Sequence, residues 1–373
     1  MSSTAAPAST PTTADTFARH LTTTPSPPSE RARLMVDPGF GRVFTDHMAL
    51  IDWTADAGWT GHRVVPRAPL QMDPAAAVLH YGQEIFEGIK AFRHADGSVW
   101  TFRPEANAAR FVVSARRMAM PELPSADFFG SLEALVQVDA DWVPDTDEAS
   151  LYLRPFMFAS EAFLGVRPAR AMAYVLIASP VGPYFSGGVR PVPIWVAEDL
   201  RRAGPGGTGA AKCGGNYAAS LLSQQEAYAE GCEQVCFLDA ATGTNLEELG
   251  GMNVFVVFGD GSAATPRLTG TLLEGITRAS VITLLRDGGH DVVERDVSLA
   301  EVRSGLADGR VVEAFACGTG AAVSPIGRLV GEGFDLTVAD GEPGPVTAAV
   351  RCQLTDIQYG RAEDRHGWMR RLV

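Results

Sequence analysis

Two segments rich in glycine and proline divide the sequence and limit how it can fold. Segment 180–188 holds two prolines and three glycines in nine residues, and such a composition interrupts both helices and strands. A second glycine-rich segment, 204–215, contains a single lysine, Lys212. We therefore predict a domain junction at or just after 180–188, followed by a loop around Lys212.

The chain is long for one core, because it has 373 residues, and two domains are expected. Residues 1–35 are rich in Ser, Thr, Pro and Ala and lack the basic start and apolar run of a secretory signal, so they are expected to form a disordered tail. We place a small α+β domain at 36–185, an interdomain loop at 186–200 and a larger domain at 201–373.

Strand and helix patterns alternate in both parts and predict an α+β fold with α/β character. Asp96-Gly97 between two apolar runs indicates a hairpin, Pro104 suits the first turn of a helix, and Asn216 is expected to cap another. The expected strands are 89–93, 98–102, 151–158, 171–179, 234–239, 252–258 and 311–316, and the expected helices are 105–118, 128–138, 217–230 and 275–287.

Charge and cysteine content argue against several classes of partner. The formal net charge is -13, and an acidic surface repels nucleic acid and anionic lipid. No apolar run approaches the ~18–20 residues of a membrane helix. The five cysteines are scattered, and no histidine pair completes a zinc site. We expect no nucleic acid, membrane or metal partner. We expect the cysteines to be free thiols and the protein to be cytoplasmic.

Lys212 is the first residue whose surroundings point to chemistry. It is followed by Cys-Gly-Gly-Asn-Tyr, and glycines allow a flat ring to lie against the backbone. A lysine amine attacks a carbonyl when its pKa falls from about 10.4. Tyr217 can hydrogen-bond a phenolic oxygen. Without these neighbours, a lysine in such a loop would be read as a solvated cation.

The Lys-x-Gly-Gly-Asn-Tyr motif resembles the cofactor-lysine motif of branched-chain aminotransferases, which are class IV (fold type IV) enzymes that use pyridoxal 5'-phosphate (PLP). The resemblance runs from about Gly39 to the C-terminus and implies two domains, each a β-sheet or small barrel-like sheet flanked by helices, with the active site between them. The other matching segments are Phe44-Thr45-Asp46-His47-Met48, Tyr81-Gly82-Gln83, Phe86-Glu87-Gly88-x-Lys90-Ala91-Phe92, Phe102-Arg103-Pro104, Tyr152-x-Arg154-Pro155, Gly250-x-Met252-Asn253, Gly318-Thr319 and Thr355-Asp356-Ile357-Gln358-Tyr359-Gly360-Arg361.

The resemblance implies a role for each residue around PLP. Lys212 would hold the cofactor as a Schiff base, and Glu248 would keep the pyridine nitrogen protonated so that the ring accepts electrons. Strand alternation points Glu247 the other way. An arginine fork and a helix start favour a phosphate. The residues implied for the cofactor are Arg103, Lys212, Tyr217, Glu248, Ile276, Thr277 and Thr319.

The substrate pocket follows from the same resemblance. An aromatic set would bind an apolar side chain, Arg154 would bind the side-chain carboxylate of glutamate, and the Tyr81 hydroxyl and Gly320 N–H would bind the α-carboxylate. A loop from the partner subunit of a homodimer would add Leu164 and Val166. The residues implied for the substrate are Phe44, Tyr81, Phe86, Tyr152, Arg154, Leu164, Val166, Tyr184 and Gly320.

The implied activity is reversible transamination of L-leucine, L-isoleucine and L-valine with 2-oxoglutarate, giving branched-chain 2-oxo acids and L-glutamate. One alternative is another class IV enzyme, a D-amino acid aminotransferase or an aminodeoxychorismate lyase, which should lack the Tyr-x-Arg-Pro motif and the aromatic set. A catalytically silent relative that acts as a binding protein is a second alternative. Lys212, Tyr217 and Glu248 together argue against it.

Overall fold

The computed structural model describes residues 13–182 and 189–373. Within these ranges the strands form two sheets of nine strands each, and helices cover them. Tyr184, expected in the substrate pocket, lies outside the described residues. No helix in the described ranges is long and apolar enough to cross a membrane.

The first described range, 13–182, contains four helices and eight strands, with short 3-10 turns at Ala14–Thr16 and Ala140–Trp142. The predicted hairpin at 89–93 and 98–102 is confirmed, as are the helices at 105–118 and 128–138. The helices are α1 (Pro28–Met35), α2 (Ala77–Tyr81), α3 (Pro104–Arg117) and α4 (Ser125–Val138), and the strands are β1 (Ala18–Arg19), β2 (His47–Thr54), β3 (Gly58–Pro66), β4 (Glu84–Phe86), β5 (Ile89–Arg93), β6 (Val99–Phe102), β7 (Ser150–Ala159) and β8 (Ala171–Val181).

The second described range, 189–373, contains five helices and ten strands, with a 3-10 turn at Ala339–Gly341. The predicted strands at 234–239, 252–258 and 311–316 and the helix at 275–287 are confirmed. The helices are α5 (Gly214–Ala218), α6 (Leu221–Ala229), α7 (Ile276–Asp287), α8 (Leu299–Asp308) and α9 (Pro345–Gln358), and the strands are β9 (Val192–Ala197), β10 (Gln234–Leu238), β11 (Leu246–Leu249), β12 (Asn253–Phe258), β13 (Ala263–Pro266), β14 (Val292–Arg295), β15 (Val311–Gly318), β16 (Ala322–Gly331), β17 (Phe334–Thr337) and β18 (Met369–Arg371).

The first sheet has the strand order β1-β3-β2-β8-β7-β5-β6-β18, and β4 also pairs with β7. One face packs on α3 and α4, where Phe111, Phe128 and Tyr174 are buried with their rings in contact. Burying each large apolar side chain stabilises the fold by roughly 1.5–3 kcal/mol. β4 and β5 lie end to end along β7, and their pairing with β7 is interrupted at Glu87-Gly88.

Six strands of the second sheet close into a small barrel within the described residues. The path β11-β10-β9-β16-β15-β12 returns to its start because Glu248 of β11 pairs with Asn253 of β12. Side chains on β12 alternate, as a strand requires. Val254 and Val256 pack in one apolar cluster, and Phe255 and Val257 pack in another with residues of α7 and α9. The expected barrel-like sheet flanked by helices is therefore confirmed.

The expected disordered tail at 1–35 is wrong for its described part, 13–35. Phe17 is buried in the core of the first sheet, and β1 pairs in parallel with β3. The backbone N–H of Thr22 donates to Nε2 of His47 at 3.1 Å. The prediction was wrong because it rested on the polar composition of this segment, which does not show that the Phe17 ring is buried or that the backbone beside it is hydrogen-bonded to the first sheet.

The expected boundaries also differ from the structure at two places. The segment expected as the loop 186–200 contains β9, a central strand of the barrel that pairs with β10 and β16. The segment 201–373 does not remain within one sheet, since β18 pairs with β6 at the edge of the first sheet. Leu372 is buried there, so the end of the chain ties the two parts together.

The helix expected at 217–230 is two helices, α5 and α6. Asn216 lies inside α5 rather than at a cap, and its Nδ2 donates to the carbonyls of Ala211 at 2.8 Å and Thr208 at 2.9 Å. Asn216 therefore holds the glycine-rich loop against the first turn of α5. Satisfying loop carbonyls takes precedence here over capping a long helix.

Candidate active site

The glycine-rich loop delivers Lys212 to the edge of the first sheet. The N–H of Phe86 in β4 donates to the Lys212 carbonyl at 3.0 Å. The N–H of Lys212 donates to Oγ of Ser114 in α3 at 2.9 Å. Both bonds cross between the two parts of the chain and determine where the lysine side chain begins.

The Lys212 amine lies between two aromatic rings. Nζ is 2.8 Å from the Tyr217 hydroxyl and 5.0 Å from the centroid of the Phe86 ring. The rings of Phe86 and Tyr217 are 4.9 Å apart. No carboxylate in the described ranges forms an ion pair with Lys212 within 4.0 Å, so the amine is held in place without being neutralised by a direct partner.

Glu248 is buried and uses one of its oxygens for all of its recorded bonds with the protein. Oε1 accepts from Arg202 Nη2 at 2.5 Å, from Arg202 Nε at 2.9 Å and from the N–H of Leu273 at 2.9 Å. Burial raises the pKa of Glu248 to about 7, against the opposing effect of Arg202 and that N–H. Among the described residues, no donor to Oε2 is recorded, which leaves an acceptor for a protonated ring nitrogen.

Glu247 serves a different purpose on the same strand. It accepts a hydrogen bond from the Thr271 hydroxyl, which in turn contacts Thr269 at 2.7 Å. The adjacent carboxylates of Glu247 and Glu248 thus have separate partners, as strand alternation requires.

Arg202 is a functional residue that sequence reasoning missed. It is 7% exposed, and its two bonds to Glu248 neutralise a buried carboxylate. A buried carboxylate requires a cationic or hydrogen-bonding partner. That rule predicts that a partner exists, but nothing in the sequence distinguishes Arg202 from the neighbouring Arg201.

The residues expected to hold a phosphate lie together beside α7. Arg103 Nη1 donates to Oγ of Ser280 at 2.7 Å and lies 3.5 Å from the carbonyl of Ile276. Arg103 has a left-handed backbone, with φ at 49°, and its guanidinium lies over the Trp368 ring. Ile276, Thr277 and Thr319 line one cavity. The start of α7 supplies free N–H groups, which favour an anion.

Arg154 occupies the aromatic end of the site. Its Nη2 donates to the Tyr152 hydroxyl at 2.9 Å, and its guanidinium carbon is 4.8 Å from the Phe86 ring centroid. In the described part of the chain it has no ion pair within 4.0 Å, and its buried Nε has no hydrogen-bond partner. Gly88 allows this packing, because a methyl group there would collide with the Tyr152 hydroxyl.

Other expected substrate residues lie apart from this aromatic group. The Tyr81 hydroxyl donates to the Leu164 carbonyl, and the two side chains are 40% and 67% exposed. Val166 is 90% exposed. Phe44 lies under the Arg67 guanidinium at 5.0 Å. The carbonyl of Gly320 accepts from Lys90 Nζ at 2.7 Å.

A second buried carboxylate near Lys212 also escaped the sequence analysis. Glu87 is fully buried at the interruption between β4 and β5. Burial opposes its ionisation, but Arg110 and Asn107 hold its pKa below the usual value. Arg110 binds Glu87 through Nε at 2.7 Å and through Nη2 at 2.9 Å. The motif around Phe86 indicated this position, but its pairing with Arg110 depends on α3 packing on β4.

This arrangement suits PLP as the resemblance implies it. The lysine amine, hydrogen-bonded to a phenol, suits the aldehyde of PLP. The buried carboxylate with an unbonded oxygen suits the ring nitrogen, and the arginine beside a helix start suits the phosphate. No group of three or more histidine, cysteine, aspartate or glutamate residues in the described ranges could hold a metal ion.

Comparison with known proteins identifies the family. Residues 84–329 match the family model described as amino-transferase class IV. A branched-chain-amino-acid aminotransferase of Mycolicibacterium smegmatis is 52% identical over 360 residues, which cover 95% of this chain and 98% of the relative.

Two solved structures have the same fold. The branched-chain amino acid aminotransferase of Escherichia coli superposes with a TM-score of 0.74 at 28% identity, covering 88% of this chain and 99% of that one. The branched-chain aminotransferase of the archaeon Thermoproteus uzoniensis, solved with norvaline, gives a TM-score of 0.71 at 25% identity, covering 87% and 100%. The fold type IV architecture expected from the sequence is confirmed, and the chain belongs to the class IV aminotransferase family.

Proposed function

We propose that this chain is a PLP-dependent branched-chain-amino-acid aminotransferase that transfers the amino group of leucine, isoleucine or valine to 2-oxoglutarate. One observation carries the proposal: the Lys212 amine and the Arg154 guanidinium both lie within about 5 Å of the Phe86 ring centroid, and neither has an ion pair among the described residues. A reactive amine and a cation for a second carboxylate thus border one apolar surface. The 52% identity to a protein of that name supports the assignment.

PLP, once bound, withdraws electrons from the α-carbon of the substrate. Lys212 would be its covalent anchor, Glu248 would hold the proton on the ring nitrogen, and Tyr217 would bond the phenolic oxygen. Ile276, Thr277 and Thr319, which line the cavity beside α7, and Arg103, which is bonded to Ser280 of α7, would hold the phosphate by charge, hydroxyl and N–H donors.

Lys212 would have a second task as the base that moves the proton at the α-carbon of the substrate. The Tyr217 hydroxyl, 2.8 Å from Nζ, would hold the amine beside the site for that purpose. General-base catalysis requires this closeness before anything else. The rings of Phe86 and Tyr217 on either side limit the access of water to the amine.

The substrate pocket must accept an apolar side chain and, in the other half-reaction, a carboxylate. Phe86 and Tyr152 supply apolar surface, and burying a leucine side chain there is worth roughly 1.5–3 kcal/mol. Arg154 supplies the cation. It is held at the edge of the aromatic group by the Tyr152 hydroxyl, so it can bind a carboxylate without occupying the centre of the pocket. Phe44 is proposed for the apolar pocket, and the Tyr81 hydroxyl and the Gly320 N–H are proposed for the substrate α-carboxylate.

A homodimer is part of the proposal, because apolar side chains stand exposed on the segment 163–166. Leu164 and Val166 are 67% and 90% exposed, and Tyr81 is bonded to the Leu164 carbonyl. Exposed apolar clusters mark interaction surfaces. We assign this surface to the partner subunit's pocket, which it would cover. We also expect the enzyme to work in the cytoplasm, where its small-molecule substrates are found.

The cofactor anchor is tested by reduction with borohydride, which makes an imine to lysine permanent. Lys90 and Lys212 are the only lysines in the sequence, so peptide mass spectrometry has two possible outcomes at lysine. We expect the label on Lys212. The Lys212→Ala protein should bind PLP without covalent attachment and lose nearly all turnover. A label on Lys90 would contradict the assignment.

The electronic role of Glu248 is tested by Glu248→Gln, with Glu247→Gln as the matched control. A neutral amide cannot keep the ring nitrogen protonated, so we expect single-turnover half-reactions to slow by roughly 100-fold or more while PLP still binds. The change also leaves Arg202 without its counter-charge, so the unfolding midpoint is measured alongside. A larger kinetic defect in Glu247→Gln would reverse the assignment of the two carboxylates.

Assembly is tested by light scattering at assay concentration. We expect a homodimer with an interface larger than ~2,000 Å². Leu164→Asp should weaken it and raise the KM for leucine, because a charge would be buried against an apolar surface. Val36→Asp, at a position 84% exposed and outside this surface, is the control. A fully active monomer would refute the proposal.

Dual substrate recognition is tested by Arg154→Met, which keeps much of the volume and removes the charge. Losing a charge-assisted hydrogen bond costs roughly 1.5–3 kcal/mol. We expect that loss in kcat/KM for 2-oxoglutarate and glutamate, with a much smaller effect for leucine, when each half-reaction is measured separately. Equal losses would mean that Arg154 supports the fold of the pocket instead.

A further inference from the structure

Lys90 is a partly buried cation that the proposed reaction does not use. It lies on β5 directly opposite Tyr152 of β7, so the two side chains share one face of the first sheet. Its Nζ donates to the Gly320 carbonyl at 2.7 Å, in the turn between β15 and β16 of the barrel. This single bond links the sheet that carries the aromatic pocket to the turn that carries Thr319.

The same turn is held by a second cation. Arg351 of α9 donates through Nη1 to the carbonyls of Ala321 at 2.9 Å and Val323 at 2.7 Å, and through Nη2 to Glu148. Ala322 has a left-handed backbone, with φ at 56°. A non-glycine residue in that region is disfavoured unless its surroundings impose the conformation.

The direction of these bonds matters for anion binding. A trans peptide is planar, so its carbonyl and its N–H point in opposite directions. Because Lys90 and Arg351 bind the carbonyls of Gly320 and Ala321, the N–H groups of Ala321 and Ala322 point away from the two cations. Thr319, at the start of the turn, lines one cavity with Ile276 and Thr277.

Lysine is rare in this sequence, because arginine supplies all but two of its 31 basic residues, and one of the two lysines is Lys90. Its ammonium is a compact charge on a flexible stem. Burial, with the Arg351 charge nearby, lowers the pKa of Lys90 to about 8, so the amine is mostly charged at pH 7.

We propose that Lys90 is a positioning residue of the active site: its ammonium holds the Thr319–Ala321 turn so that the turn presents its hydroxyl and N–H groups to the cofactor phosphate and the substrate α-carboxylate. This rests on the proposed function. The proposed role of Lys90 differs from that of Arg154 in the substrates it affects. Every substrate has the α-carboxylate that the turn would bind, but only the dicarboxylates have the second carboxylate that Arg154 would bind.

The experiment uses 4-methylvaleric acid, which is leucine without its amino group and cannot react. Its dissociation constant for the PLP-loaded enzyme is read from the shift in cofactor absorbance. We expect Lys90→Met to weaken the binding of 4-methylvalerate about tenfold, because a small displacement of a positioned group causes a large loss of function. The KM for leucine and the KM for 2-oxoglutarate should rise by similar factors, while kcat changes less. Lys90→Gln, which keeps one donor for the Gly320 carbonyl, should recover part of the affinity.

Arg93→Met is the matched control, because Arg93 is on the same strand and also binds backbone carbonyls, those of Ala140 and Val143, which lie far from the Thr319–Ala321 turn in sequence. It should lower the unfolding midpoint without changing the dissociation constant. Unchanged 4-methylvalerate binding in folded Lys90→Met, or an equal loss in Arg93→Met, would overturn the inference.

A measurement on the unmodified protein covers the case in which Lys90→Met does not fold. With ¹³Cε-labelled lysine, the two lysines give two resonances, and 4-methylvalerate should shift that of Lys90. An unmoved resonance would overturn the inference. Failure of the unmodified enzyme both to transaminate leucine and to bind 4-methylvalerate would instead count against the proposed function.

Discussion

The pairing of Glu248 with Asn253 closes six strands into a ring, and the position of the active site depends on that closure. Closure pairs β11, which would otherwise be a sheet edge with unpaired backbone groups. Closure also brings β11 beside β12, so the buried carboxylate of Glu248 lies where these two strands pair. The helices α7 and α9 then cover the outer face of β12 and β15, and the start of α7 is carried to the phosphate side of the site.

The charged side chains of this region fall into two groups that differ in their partners. Glu248 is paired with Arg202, and Glu87 is paired with Arg110, as low-dielectric surroundings demand. Lys212 and Arg154 have no ion pair in the described ranges. Pairing keeps the carboxylates in place, and its absence leaves the amine and the guanidinium able to meet a ligand. Glu248 combines the two features, because its pairing uses Oε1 and leaves Oε2 for the proposed ring nitrogen.

The site lies between two sheets, so its geometry depends on what holds them together. Lys212 is bonded through its backbone to β4 and α3, Lys90 reaches from β5 to the Gly320 carbonyl, and β18 returns the end of the chain to the first sheet. Each link joins residues far apart in sequence. A small displacement of one sheet against the other would separate the cofactor side from the aromatic pocket, and these links oppose it.

The sequence by itself determined the local elements and the family, and it predicted the residues proposed for the cofactor, because periodicity, turn residues and the Lys-Cys-Gly-Gly-Asn-Tyr motif are local signals. The hairpin before Pro104 and the choice of Glu248 over Glu247 came from such signals. Only the tertiary structure decided that Arg202 faces Glu248, that Phe17 anchors a polar segment, that β9 is a barrel strand, and that β18 joins the first sheet. These are contacts between distant residues, and they follow from which apolar faces can be buried together. A buried charge requires a partner, but which residue becomes that partner depends on how the chain packs.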